Sequence, residues 1–322
     1  MNKIKSKFIY IALLLFFDLT SFCLDLEKME IHITKRSPLI MVPSASGIEY
    51  ISTNFYVIGD NAPWLYKLNE KLELISKTAI YSLKDLESEV IPKPAKPDFE
   101  AMALVKSKIG NELYIFGSGS KSPTRNILIK TNLEQPDNYS SYDLTNFYKL
   151  LKKNCNLTAE EINIEGAFAT SKNLYLLNRG NNLIIWFKIK EFNSYIAEKS
   201  DSLTLNFHSY ELPTVKNVQA GFSGATYVED RNLILFTASI ENTENWIDDG
   251  EVLGSYVGAI ELDDLTKSSK PICMPITENG LPVSIKIESI ALNSNDKKKI
   301  SLFLVTDSDG GTSELIEACL LF

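Results

Sequence analysis

Apolar residues along the chain gather in short runs bounded by Gly, Asn, Asp and Pro, and no sustained 3.6-residue periodicity dominates. Runs of this kind, rich in β-branched and aromatic side chains, predict strands, so the pattern reads as all-β. Five stretches share one template: a short strand opening on a small or acidic residue, a polar break, and a second strand ending in a polar corner. The paired runs are Ser46–Ile51 with Phe55–Asp60, Glu100–Val105 with Leu113–Ser118, Glu165–Ala169 with Leu174–Arg179, Ser223–Val228 with Leu233–Ala238, and Glu288–Leu292 with Leu302–Asp307. A third strand follows each pair, at Leu65–Leu68, Ile127–Lys130, Leu183–Phe187, Tyr256–Ile260 and Glu314–Ala318.

The opening residues recur at spacings of 54, 65, 58 and 65. A repeat of this length with three or four strands per unit is the pattern of propeller blades. The expectation is a five-bladed β-propeller in one domain spanning residues 24–322, with six blades as the alternative if the long second or fourth unit hides another sheet. Only 34 residues follow Glu288, enough for three strands, whereas an orphan strand, Met29–Thr34, precedes the first unit. Placed as the outer strand of the last blade, it closes the ring and removes two exposed edges. Two inserts, Ser82–Val90 and Thr145–Lys153, predict helices on the outside between blades, with Thr145 as N-cap and decoration as their role.

Composition narrows the field. Across 322 residues the chain is 44% hydrophobic and 23% charged, enough to bury a core. A net charge of −8 gives no footprint for a phosphate backbone, so nucleic acid is excluded as a partner. The two histidines, His32 and His208, leave little for a His-based metal site or a Ser-His-Asp triad. Four cysteines without a CxxC pair exclude a zinc ribbon or a thioredoxin-type redox centre, and Cys319 lies in an apolar run where a buried thiol is expected. Lys3, Lys5 and Lys7 precede the apolar run Phe8–Phe17, the layout of a signal peptide cleaved after Cys23. Residues 1–23 therefore predict export, to the periplasm or outside the cell, or to the outer membrane if Cys23 carries a lipid. A monomer is expected.

The strand-opening residues carry the chemistry. First strands line a propeller's channel, so Ser46, Glu100, Glu165, Ser223 and Glu288 are expected to meet around the axis. Three converging carboxylates repel one another unless protonated or neutralised, and calcium accepts an irregular set of carboxylate, hydroxyl and carbonyl oxygens. The alternative is that these glutamates cap strand-start backbone groups around a water-filled channel.

The succession of those five residues resembles the calcium-activated apyrases, secreted nucleotidases on a five-bladed propeller, most locally at Gly221–Gly224, Leu233–Ala238, Ser255–Ile260 and Lys286–Ile290. The resemblance implies a central calcium held by Ser46, Glu100, Glu165, Ser223 and Glu288. The chain departs from that family where nucleotide would bind: Gly59–Ala62 replaces an acidic and arginine cluster, and Gly117–Lys121 a Lys-Glu-Trp stretch. Through Lys96–Ala101, Ile115–Lys121, Asn163–Ala167, Tyr175–Gly180, Ala220–Thr226 and Val305–Gly311, it looks closer to a family of bacterial secreted propellers of unknown function.

The corners after each second strand should project to one mouth. They offer Ser118, Ser120, Lys121, Arg125, Asn178 and Asp307 for an anionic ligand such as a phosphate ester. Turns favour Asn, Asp, Ser and Gly in any case. Two functions fit: a calcium-dependent propeller binding an anionic ligand or partner, or a calcium-dependent phosphoric-ester or anhydride hydrolase. In the second, Arg179 would stabilise developing charge and Asp60 would activate a water.

Overall fold

The computed structural model describes residues 29–81, 90–107, 110–242, 250–308 and 312–322. The expected signal peptide and nearly all of the first expected helix lie outside these residues. Five sheets stand around one axis; four are antiparallel and run in sequence order from the inner strand outward, and the fifth does so for three strands before taking the N-terminal strand as its fourth. The first blade is Ala45–Ile51, Asn54–Gly59, Trp64–Asn69 and Leu74–Ala79. The second is Phe99–Ser107, Gly110–Gly117, Ile127–Asn132 and Gln135–Asp143. The third is Ile164–Ala169, Asn173–Asn178, Leu183–Lys188 and Asn206–Ser209. The fourth is Gly221–Val228, Leu233–Asn242, Glu251–Glu261 and Ile272–Pro275. The fifth takes Ile287–Asn295, Lys299–Ser308 and Thr312–Leu321 from the C-terminal part of the chain, and Glu30–Pro38 as its fourth strand, beyond which Thr277–Glu278 pairs at one position.

The antiparallel pairing of that N-terminal strand runs from Glu30 opposite Leu321 to Pro38 opposite Glu314, with one slip that passes over Thr34, so the N-terminal strand closes the ring as expected. The inner strands touch in turn around the axis, the fifth meeting the first. No sixth blade stands in the long second or fourth unit among the described residues. The second unit's extra length forms a helix at Thr145–Cys155, and the fourth's forms a hairpin, Thr277–Glu278 with Leu281–Pro282, which adds to the fifth sheet through Thr277 lying parallel to His32; a separate small hairpin, Thr214–Val215 with Val218–Gln219, ends the third unit.

Successive side chains of a strand point to opposite faces of its sheet. Both faces of a blade are covered by neighbouring blades, which is why second strands such as Leu174–Leu177 are apolar at every position. Each gap between blades holds its own core. Phe55, Val57 and Tyr66 meet Phe303 and Val305 between the first and fifth blades. Tyr56 and Ile58 meet Met102 and Ile115 between the first and second.

One expected helix is found, α1 at Thr145–Cys155, and it differs from the expectation in two ways. Its first N–H donates to the Asp143 carboxylate at 2.8 Å, so Thr145 is the first helical residue and not the cap. Nor is it decoration. Phe147, Tyr148 and Leu151 are buried between the second and third blades, and the Tyr148 hydroxyl donates to the Gly117 carbonyl at 2.5 Å. A second helix, α2 at Ile189–Ile196, was not expected; it buries Phe192 against Phe147 and Phe187. The cysteines at 155, 273 and 319 are free thiols; Cys155 is the buried one, whereas Cys319 is partly exposed because it lies on the last blade's third strand beside the closing strand.

Candidate functional site

In every blade the ladder between the first and second strands slips by one residue at the same place. The partners run Ala45–Gly59 then Gly47–Ile58, Phe99–Gly117 then Ala101–Phe116, Ile164–Asn178 then Gly166–Leu177, Phe222–Ala238 then Gly224–Thr237, and Ile287–Thr306 then Ser289–Val305. The residues passed over are Ser46, Glu100, Glu165, Ser223 and Glu288, the five strand-opening residues. A β-bulge leaves its extra residue out of the ladder and re-aims the side chain, a device common beside functional sites. Directly below, the ring is tight. A Cβ on Gly166 would stand 3.1 Å from Gly224 Cα, and one on Gly224 would stand 2.6 Å from Ser289 Cα. Only small residues fit where the inner strands converge, and above them Ser46, Glu100, Glu165 and Glu288 sit in the lining of a cup opening to one mouth.

The cup encloses about 1380 Å³ and is walled by the loops entering each blade and the corners after each second strand. Among the described residues that line it are eight carboxylates and six cationic side chains. They are interleaved. Lys96 joins Asp60 to Asp98, the latter at 2.7 Å, and Arg125 holds the other oxygen of Asp98 at 2.6 Å. Across the cup, Arg179 lies 2.9 Å from Glu241 and 3.8 Å from Glu165, and Lys286 bridges Glu241 at 2.8 Å and Glu288 at 3.0 Å.

Of the expected metal ligands, the structure brings Ser46, Glu100, Glu165 and Glu288 to the cup lining. Ser46 donates its hydroxyl to the Phe99 carbonyl, tying the first blade to the second. Ser223 is buried and donates to Thr237 Oγ1 at 3.1 Å, behind the lining. Glu165 and Glu288 face their own cations, whereas Glu100 has no ion pair within the described residues. Among the described residues, Glu100 instead gathers with two carboxylates outside the anchor set: oxygens of Asp60, Asp98 and Glu100 all lie within 4.8 Å of one another. Calcium–oxygen distances of about 2.3–2.6 Å allow such a trio to share one ion.

The residues expected at the rim divide similarly. Ser120, Lys121, Arg125, Asp60, Arg179 and Asp307 line the cup. Ser118 and Asn178 are fully buried behind it. The Ser118 hydroxyl donates to Asp98. The Asn178 amide accepts from the Asn163 N–H at 2.8 Å and donates to the Glu161 carbonyl and the Asn181 side chain. Sequence reasoning missed Lys96, Asp98 and Lys286 as site residues. Their signal was position: each sits two to four residues before a glutamate anchor, on the loop that enters at the mouth.

Burial sets the electrostatics. Desolvation pushes Glu100 well above the ordinary carboxylate range, and Asp98, Glu165 and Asp60 push further. Glu165 rises from 4.5 to about 7, chiefly by burial, with Arg179 opposing. Glu288 and Asp60 are raised for the same first reason, against the pull of Lys286 and Lys96. Burial would discharge Lys96 and Lys286, but their surrounding carboxylates hold both ammonium groups above the usual lysine value. Burial also raises Glu241, but Arg179 and Lys286 more than offset it and leave the group below its ordinary value. Two acceptor oxygens of the lining residues, Asp60 Oδ1 and Asn61 Oδ1, are buried without a hydrogen-bond donor. Among the described residues, no helix is long and apolar enough to cross a membrane.

A model of a family of unknown function, DUF6929, matches residues 41–320. No curated protein matches the chain. Among solved structures, glutaminyl cyclase from Myxococcus xanthus is similar in fold, with a TM-score of 0.52, 11% identity, and coverage of 91% of this chain and 97% of that one. The PQQ-bound aldose sugar dehydrogenase from Streptomyces coelicolor has a TM-score of 0.45 at 11% identity, covering 91% of this chain and 98% of that one.

Proposed function

We propose that this chain, which belongs to the DUF6929 family of unknown function, is an exported ligand-binding propeller whose cup takes a calcium ion and, on that ion, an anionic group of its ligand. One observation carries the reading: Asp60, Asp98 and Glu100 place their oxygens within reach of a single cation, and Glu100 is held by no ion pair of the described residues. The charge balance supports it, since with every carboxylate ionised the lining carries two more carboxylates than cations, and one divalent ion neutralises that excess. Three carboxylate oxygens spread over as much as 4.8 Å suit calcium's adaptable shell better than magnesium, which demands a near-octahedral one.

Hydrolysis is the less supported reading. Asp60, expected to activate water, is engaged by Lys96, and Arg179, expected to stabilise developing charge, is held by Glu165 and Glu241. A general base must be free to accept a proton from its substrate.

The test is thermal unfolding of the chain from residue 24 onward, in chelator and in excess calcium. A ligand at 100 times its dissociation constant adds about 2.7 kcal/mol to the folded state. The wild type should gain several degrees, and Glu100→Gln, which removes no ion pair, should gain far less. Equal midpoints in chelator and calcium would refute the calcium site.

A further inference from the structure

We propose that Lys96 is a tethered competitor for the calcium site, and that calcium, by displacing its ammonium group, turns the lysine into part of an anion-binding mouth. The inference deepens the calcium reading above and rests on it. Lys96 Nζ lies on Asp60 Oδ2 and, at 2.7 Å, on Asp98 Oδ1, two of the three carboxylates that would hold the ion. It thus acts as a stand-in cation. Its charge is not enough for the site, because Asp60 Oδ1 and the neighbouring Asn61 Oδ1 remain buried acceptors with no donor. Arg125, the other cation on Asp98, holds the opposite carboxylate oxygen and can stay in place when an ion arrives.

An ammonium group and a divalent ion cannot both sit against Asp60 and Asp98, since like charges a few ångströms apart in a half-buried site repel strongly. Lys96 has somewhere to go. Its segment lines the cup through Val90–Pro94 and Lys96 itself, and Lys121 lines the same mouth beside Lys93. A four-carbon stem lets the ammonium group swing from the carboxylates toward that mouth without backbone movement. There it meets an anion that the calcium also attracts. Calcium and anion then favour each other, and linkage requires the same factor in both directions.

The experiment is calorimetric titration of wild type, Lys96→Met and Lys96→Gln with calcium alone, and with methyl phosphate in saturating calcium or in chelator. Both variants should bind calcium at least tenfold more tightly than wild type. Wild type should bind methyl phosphate at least tenfold more tightly with calcium than without, and the variants should lose most of that gain. Variants whose calcium affinity equals or falls below that of a calcium-binding wild type would overturn the competitor role while leaving the calcium site intact. Absence of calcium binding in wild type and in both variants, each shown folded by its unfolding transition, would overturn the calcium reading itself.

Discussion

Glu165 offers the sharpest test of the cup's electrostatics in the absence of metal. Its carboxylate is buried, accepts from Asn163 Nδ2 at 2.6 Å, and has Arg179 only at 3.8 Å, so burial raises it from 4.5 to about 7. Between those values the folded state holds a proton that the unfolded chain has released. Stability therefore falls as pH rises through this window, and the loss is complete above about pH 7. At 1.36 kcal/mol for each pH unit between the two values, ionised Glu165 costs the folded state about 3 kcal/mol at pH 8. Glu165→Gln keeps the acceptor for Asn163 and cannot ionise, while Arg179 keeps Glu241 at 2.9 Å. In chelator, the variant should thus be about 3 kcal/mol more stable than wild type at pH 8, which for a domain of this size is roughly 5–10 °C in midpoint. Near pH 5 the difference should shrink to under about 1 kcal/mol, because there both side chains are largely neutral. Thermal and urea unfolding of both proteins from pH 5 to 8 measures this. Parallel stability profiles, or a variant less stable than wild type at pH 8, would refute the reasoning.

Three further outcomes follow from the packing. Gly224→Ala places a Cβ 2.6 Å from Ser289 Cα, a backbone atom that cannot rotate away, and should cost at least about 1–3 kcal/mol in urea unfolding; an unchanged midpoint would show a looser ring. Ile31→Ala empties a position only 1% exposed on the closing strand, within the core shared by the fourth and fifth blades, and should lose about 2–5 kcal/mol by the same assay. Asp98→Ala leaves Lys96 with Asp60 alone and strips Arg125 of its carboxylate, and leaving that charge uncompensated should cost about 3 kcal/mol; a neutral effect would show that Arg125 relaxes into solvent.

Much of the site's frame was legible in the sequence because it depends on the repeat. The alignment that set Ser46, Glu100, Glu165, Ser223 and Glu288 in one column is the column of five bulges, and a small residue follows each anchor. The partners of the glutamates were not legible. Lys96 and Lys286 look like ordinary loop lysines, and only the approach of the entry loop to the corner of a neighbouring or earlier strand shows that they are buried counter-ions. The helices were half legible. α1 shows a helical pattern, but whether its apolar face meets solvent or a gap between blades is a matter of where two sheets diverge.

By itself, the sequence indicated the propeller with its five-blade count, with six left open, the closure of the ring by its N-terminal strand, and the five bulged positions, four of which reach the cup. These follow from strand alternation, repeat length and the need to cover sheet edges, which are local or nearly local rules. Tertiary structure alone decided which charges neutralise which. Ion pairs such as Lys96 with Asp60, or Arg179 with Glu241, join residues 36 and 62 positions apart across separate loops, and no local rule relates them. The gathering of Glu100 with Asp60 and Asp98 has the same origin, since burial and distance, not residue type, set the field in which a cation would sit.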